Sequence, residues 1–191
     1  ATEPIPEDRE AEVGWHFLRG GDRDRGAELL ERASRRLFAA QAMRDALAPL
    51  EAVIEHYKTR GVKSYAYLEL LYMIVMAGAI SEREVALRYM DETLKAYQRE
   101  AGITLAIRLG KVFGRHVSLF LAVTTSVIRW FFTPRKSRGI SPLYTLSRYL
   151  MMAAHASYIH YATNDIEGIR KSLLWIAPMN AFKGRAPHGA Y

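Results

Sequence analysis

The chain has 191 residues, half of them hydrophobic and a quarter charged, so it can bury a core and is too apolar to be disordered throughout. It contains no cysteine, which excludes disulfides, thiolate catalysis and cysteine-ligated metal centres. The net charge of +7 is uneven, because residues 101–191 hold 12 Lys and Arg against two acids, and such a basic half favours an anionic partner.

The N-terminal half shows apolar residues at three- and four-residue spacing and almost no strand pattern. Gly20 and Gly21 predict a turn. An amphipathic helix is predicted over Gly26–Leu47. Pro49 is expected to interrupt this helix and to lie in the first turn of the next one, which ends at Gly61.

The middle of the chain predicts two further helices. Residues 64–78 are apolar on nearly every side, which indicates a helix buried between neighbours. Ser81 and Glu84 match a capping box, which predicts a helix start at Ser81. That helix is expected to end at Gly102, a favoured residue for the C′ position.

Residues 103–132 are strongly apolar, with Gly110 and Gly114 marking a break. Within them, His116–Phe132 contains the single charge Arg129 and ends in aromatic residues, as a short membrane span would. A span needs about 20 apolar residues, and serines and threonines interrupt this segment. We therefore expect a buried helix, with a membrane-inserted subunit as the alternative.

The C-terminal part predicts one long helix, one short helix and a tail. Ser141 and Pro142 are expected to open a helix that runs to about Ala162. Residues 163–165 offer N-caps for a short helix that ends before Pro178. Residues 178–191 have few core-forming side chains and are expected to be ordered only by a partner.

One sequence pattern recurs along the chain: a stretch with basic residues, then glycine, then Val or Ile. The glycines are Gly61, Gly102 and Gly139, separated by 41 and 37 residues, which leaves room for a pair of helices between them. Each glycine is expected to end a helix with positive φ. Such periods predict an all-α fold of irregular helical-hairpin repeats, an α-solenoid, with a generic helical bundle as the alternative. The predicted divisions are an acidic N-terminal segment, a repeat domain and a tail, at 1–21, 22–177 and 178–191.

The stretch GISPLYTLSRYLMMAA resembles the start of a pentatricopeptide repeat, and residues 61–94 resemble a whole repeat of that family, within the wider class of tetratricopeptide-like folds. In that family a polar residue of the first helix reads an RNA base. The corresponding residues here are Leu70, Lys111 and Arg148, none of the base-reading type, although the two cations suit phosphate.

In size, helical-repeat character and tail, the chain is also similar to the small repeat-like subunits bound to the F1 sector of euglenozoan mitochondrial ATP synthases. The resemblance implies a mitochondrial location, protein partners in a large assembly, and no chemistry of the chain's own.

A search for chemistry along the sequence finds no phosphate-binding glycine loop, nucleophile elbow or metalloprotease motif. His155 and His160, with Asp165, form the strongest candidate for a metal or acid–base site, but a five-residue spacing does not align two ligands on one helix face. We expect the two histidines to serve packing or an interface. Acids at helical spacing are expected to pair with nearby arginines on a solvated face: Glu28, Glu31, Asp45, Glu51 and Glu55. The sequence thus predicts no catalytic, cofactor-binding or metal-binding residue.

The predicted contact surface for a partner consists of the basic loop 133–139, the tail and one helical arginine. Its residues are Arg135, Lys136, Arg138, Arg148, Lys183, Arg185 and Tyr191. An acidic face of a protein complex is the expected partner. RNA, bound through the basic half, and a membrane are the alternatives.

Overall fold

We describe a computed structural model of the chain, which places residues 5–62, 64–104, 106, 108–109, 115–132, 142–162 and 164–169. These residues are helical and contain no strand, so the fold is all-α, as predicted. A short 3₁₀ helix at Glu7–Arg9 precedes the first α-helix. The α-helices are α1 (Glu10–Arg19), α2 (Arg23–Ala39), α3 (Met43–Thr59), α4 (Tyr65–Ser81), α5 (Arg83–Ala101), α6 (Arg115–Phe132) and α7 (Pro142–Ala162).

Two of the three punctuating glycines end helices with positive φ, as predicted. Gly61 has φ of 65° and Gly102 has φ of 70°, whereas Gly139 lies outside the described residues. After α3, the Gly61 amide donates to the Lys58 carbonyl and the Val62 amide donates to the Tyr57 carbonyl. Gly102 and Ile103 form the same pair of bonds after α5. This pattern is the Schellman motif, and it satisfies carbonyl groups that the end of a helix leaves unpaired.

Between α2 and α3, Gln41 adopts the left-handed conformation that Gly61 and Gly102 adopt after α3 and α5. It has φ of 63°, its amide donates to the Phe38 carbonyl, and the Ala42 amide donates to the Leu37 carbonyl. The predicted break at Pro49 is therefore wrong. Pro49 lies buried inside α3, where the helix tolerates the missing amide hydrogen bond because the residue packs in the core.

The predicted capping box at Ser81 is also wrong, because Ser81 is the last residue of α4 rather than the cap of α5. Its hydroxyl donates to the Ala77 carbonyl one turn back. Glu82 makes the connection, and the Ala86 amide donates to its carbonyl. The turn is tight: a Cβ added at Gly78 would lie 2.7 Å from the Ala86 amide nitrogen.

The chain divides into two compact units, residues 1–89 and 90–191. In the first unit α1 packs against α2, α2 against α3, and α3 against α4. Alternate helices also meet: Arg35 of α2 pairs with Glu69 of α4 at 3.1 Å, and Arg88 of α5 pairs with Glu51 of α3 at 2.9 Å. Sequential packing with contacts between alternate helices is the arrangement of a helical-repeat solenoid.

The core of the first unit is aliphatic and comes from successive helices. Its fully buried side chains are Leu30, Leu50, Ile54, Leu70, Leu71 and Ile74. Helix α4 supplies three of them and is buried on several faces, which agrees with its apolar sequence.

Helix α1 joins this unit through one close backbone crossing and one buried charge. A Cβ at Gly26 of α2 would lie 2.8 Å from the Leu18 amide nitrogen, so only glycine permits the two helices to approach this closely. The Glu10 carboxylate is buried and lies 2.9 Å from Arg32 Nε and 2.8 Å from Arg36 Nη1. Two cations on α2 therefore compensate the single carboxylate that α1 buries.

The second unit packs α6 against α7. Two polar contacts anchor these helices to the end of α5. Gln98 Nε2 donates to the Tyr149 hydroxyl at 3.2 Å, and the Ser126 hydroxyl donates to the Ala101 carbonyl at 3.0 Å. Burial raises the pKa of Tyr149, whose side chain is fully enclosed, while the bond from Gln98 acts in the opposite direction.

Candidate partner-binding surface

The structure describes one of the seven predicted contact residues. Arg148 lies in the second turn of α7, while Arg135, Lys136, Arg138, Lys183, Arg185 and Tyr191 lie outside the described residues. The predicted roles of the basic loop and the tail therefore stay predictions, and α7 is the element on which the surface can be examined.

Arg148 is held in place by Tyr144, one helical turn earlier. Its Nε and Nη2 atoms donate to the Tyr144 hydroxyl at 2.9 and 2.6 Å, and its Cζ lies 5.0 Å from the centroid of the ring. A guanidinium stacked on a ring is weakly hydrated and has little rotamer freedom left to lose, and both properties favour its use in an interface.

Helix α7 carries two neighbouring rows of residues, one buried and one largely exposed. The first is buried in the second unit and carries Thr145, Tyr149, Met152, Ala156 and Ile159. Next to it, one residue earlier at each step and so about 100° around the helix, lies a row that we call the outer row: Tyr144, Arg148, Met151, His155, Tyr158 and Ala162. Both rows alternate steps of four and three residues, which is the spacing of a helix–helix seam.

Four of the six residues in the outer row are exposed in the structure, and Arg148 and His155 are half-buried. Tyr158 is 68% exposed and Met151 41%, and the neighbouring Tyr161 is 75% exposed. Sequence reasoning selected Arg148 on this helix and missed the aromatic residues around it. The four–three spacing was visible in the sequence, but two neighbouring rows of α7 share it, so only the packing shows which row the core covers.

The charge of the outer row has one sign. Residues 142–162 contain no Asp or Glu, and the basic side chains among them are Arg148, His155 and His160. The surface therefore combines tyrosine, methionine and arginine without a carboxylate of its own helix. These residue types are enriched at the centres of protein–protein interfaces.

The histidine candidates have local structural partners. His155 Nδ1 lies 2.8 Å from the Met151 carbonyl oxygen of its own helix. His160 Nδ1 lies 2.9 Å from Asp165 Oδ2, and Asp165 Oδ1 accepts a hydrogen bond from the Gly168 amide at 2.9 Å. The structure thus brings His160 and Asp165 together at the turn that ends α7, and His155 faces elsewhere. Among the described residues, no three His, Asp or Glu side chains converge as metal ligands.

The first unit has a shallow groove of about 390 Å³ between α2 and α3. At its edge Asp24 pairs with Arg60 and lies 3.1 Å from His56 Nε2. The Arg60 hydrogen bond holds the pKa of Asp24 below its usual value, and the cationic environment adds to the effect.

Deeper in the groove, the Tyr57 hydroxyl donates to Glu31 at 2.5 Å, and Arg35 binds the same carboxylate at 2.8 Å. Burial, followed by the bond to Glu31, raises the pKa of Tyr57 to about 12. Burial opposes the charge of Arg35, but its bonds to Glu31 and Glu69 raise its pKa above the ordinary value. The hydrogen bonds and ion pairs among Tyr57, Glu31, Arg35 and Glu69 satisfy one another's polar groups. The side chains lining this groove therefore form a network that links α2, α3 and α4.

The acids expected to pair with arginines do so in three cases: Glu28 with Arg32, Glu31 with Arg35, and Glu51 with Arg88. Of these acids Glu28 is exposed, whereas Glu31 and Glu51 are half-buried, so the expected solvated position holds for Glu28. The predicted reading of these acids as structural partners of arginine is confirmed for these three.

Across the described helices, none is both long enough and apolar enough to cross a membrane. Comparison of the chain with protein-family models, with curated proteins and with solved structures finds no match.

Proposed function

We propose that this chain is a non-catalytic helical-repeat subunit that binds other proteins within a large assembly. The observation that carries the proposal is the outer row of α7, where exposed tyrosines and a methionine surround a stacked arginine. A tyrosine side chain buries about 200 Å² when it is covered. The exposed tyrosines and methionine of α7 therefore offer a contact area on the order of 500 Å². Patches of this size on soluble proteins are commonly functional.

The specific assembly that we propose is a mitochondrial ATP synthase, with the chain attached to the F1 sector as an accessory subunit. The support is the similarity of plan between this chain and the small repeat-like F1-associated subunits, together with the helical-repeat packing. In that role the chain would dock on a larger protein and leave the chemistry to its partners.

Purification of the native protein under mild conditions, followed by identification of the proteins that co-purify in fixed stoichiometry, tests the proposal. We expect F1 subunits, and we expect Tyr158→Ala to reduce their recovery while leaving the helical content of the chain unchanged. Recovery of the chain as a monomer, or with a stable assembly that does not depend on α7, would contradict it.

An RNA-binding repeat module is the second candidate, because tyrosines beside an arginine also suit stacking on bases. One observation opposes base reading: Leu70, at the first of the three corresponding residues, is fully buried in α4. RNA binding would make recovery sensitive to ribonuclease and would fall steeply with added salt. A ribonuclease-resistant complex distinguishes the protein partner.

A further inference from the structure

We propose that the exposed side of α6 rests on the surface of an anionic lipid membrane. The proposal goes beyond the protein contact of α7 and does not depend on it. It is carried by three features of the second unit: an apolar helix side opposite the buried one, side chains that project from it, and the charge of the surrounding sequence.

Helix α6 is buried on one side and exposed on the opposite side. Ala122 and Ser126 are fully buried in the second unit, where α6 packs against α7. Phe120 and Ile128 each lie two residues from one of these, about 160° around the helix, and are 69% and 50% exposed. A helix placed in this way can lie in the plane of a membrane interface, with its apolar side turned to the lipid.

The exposed side of α6 is predominantly apolar between Phe120 and Phe132. We call it the α6 face, and it consists of Phe120, Thr124, Ile128, Phe131 and Phe132. Phe131 is 64% exposed and Phe132 84%, whereas Thr124 is half-buried. At about 200 Å² for each aromatic side chain, the exposed parts of the three phenylalanines offer on the order of 400 Å². An apolar area of that size is commonly a binding surface.

The shape of the α6 face favours lipid over a folded protein. At their exposures Phe131 and Phe132 project into solvent rather than line a groove. A protein partner must provide a fitted surface for each projecting ring, because interfaces are packed as closely as protein interiors. A fluid bilayer instead rearranges around the rings. Phenylalanine and isoleucine also have no hydrogen-bonding group, so they enter the boundary of the acyl chains without leaving a polar group unpaired.

The charge of the second unit selects anionic lipid. Residues 101–164 contain eight Lys and Arg and no Asp or Glu, and residues 90–191 contain 14 Lys and Arg against five acids. A positive unit with an apolar helix side combines the two attractions that hold a peripheral protein on an anionic membrane. A second copy of this unit would bring two positive surfaces together, so charge complementarity opposes self-association through the α6 face.

A fluorescent label on α6 tests the proposal in the full chain. The chain contains no cysteine, so one introduced cysteine carries a label at a single position. Ile128→Cys places an environment-sensitive fluorophore on the α6 face, and Ile80→Cys, at a residue of α4 that is 66% exposed, is the matched control. Each labelled chain is mixed with vesicles of phosphatidylcholine alone, or of phosphatidylcholine and phosphatidylserine in equal parts.

We expect the emission of the label at position 128 to shift to the blue with the anionic vesicles only, and the control label to keep its aqueous spectrum with both. A label at position 128 that stays in water on anionic vesicles would overturn the proposal. Equal shifts at the two positions would also overturn it, as would equal shifts with the two kinds of vesicle.

Vesicle flotation and crosslinking provide a second measurement. Joint Phe120→Ser and Phe132→Ser should weaken binding to the anionic vesicles about tenfold or more, with unchanged helical content in circular dichroism, and Ile80→Ser should leave binding unaltered. Unchanged binding of the double variant would refute the proposal. In the native material, p-benzoylphenylalanine in place of Phe132 should form adducts with lipid. An adduct with another protein, or with residues 178–191 of the chain itself, would show a different occupant and overturn the proposal.

Discussion

Replacing Gly61 with alanine is expected to lower the free energy of unfolding by about 1 kcal/mol. Gly61 has φ of 65°, and a Cβ built there meets no atom within 4 Å, so the change introduces no clash. The cost is the left-handed backbone, about 1–2 kcal/mol for an L-residue. Alanine recovers about 0.4–1 kcal/mol of this because it restricts the unfolded chain.

Gln41 provides the opposite test at a matched position. It has φ of 63° and the same two Schellman hydrogen bonds, but it is not glycine. Gln41→Gly should therefore raise the free energy of unfolding by up to about 1 kcal/mol, because relief of the left-handed strain outweighs the extra unfolded-state entropy that glycine brings. The expected changes in Tm are about 2–4 °C per kcal/mol for a chain of this size.

Urea unfolding followed by circular dichroism, with thermal unfolding alongside, measures both variants. The slope of the urea transition should stay constant, which would show that stability changes and compactness does not. If Gly61→Ala is as stable as the unmodified chain, or if Gln41→Gly loses stability, the assignment of these residues as left-handed helix terminators is wrong.

Three further predictions concern a buried bond, a surface charge and the tail. Tyr149→Phe should cost about 1–3 kcal/mol in urea unfolding, because it leaves the buried Gln98 amide without this acceptor; equal stability would refute the bond. Asp24 has a lowered pKa, so its pairing with Arg60 stabilises the fold above pH about 4 and is lost as the pH falls through the folded-state pKa. The Tm difference between the unmodified chain and Asp24→Asn should thus disappear in acid, and a difference that grows there would contradict the pairing. Deletion of residues 179–191 should weaken recovery of the native assembly while far-ultraviolet circular dichroism stays unchanged; full assembly without them would remove their predicted role.

The parts of the fold that could be predicted from the sequence are those that depend on residues close together in the chain. Gly61 and Gly102 end helices because glycine takes the left-handed conformation at little cost, and this preference acts within a few residues. The helix end at Gln41 was not predicted, because glutamine rarely adopts the left-handed conformation and nothing about its residue type indicates a helix end. The predicted helix break at Pro49 was wrong, because the helix-breaking tendency of proline is a local property. The burial that offsets it depends on packing with other helices.

The candidate surface was predictable only in part, for a related reason. Arg148 stood out by its charge, but the tyrosines near it stand in a helix that is apolar around most of its circumference. Periodicity alone gives two equivalent seams on such a helix. The position of Tyr149 in the core, beside Gln98, decides between them and leaves Tyr158 on the outside.

The most direct test of the central claim is hydroxyl-radical footprinting of the chain, alone and in its native assembly. Met151, Tyr158 and Tyr161 are uncovered in the isolated chain and should react readily there. If α7 is the protein-binding surface, their oxidation should fall severalfold in the assembly, while the fully buried Met152 stays unreactive in both states. Equal oxidation of Tyr158 and Tyr161 in the two states would contradict the account.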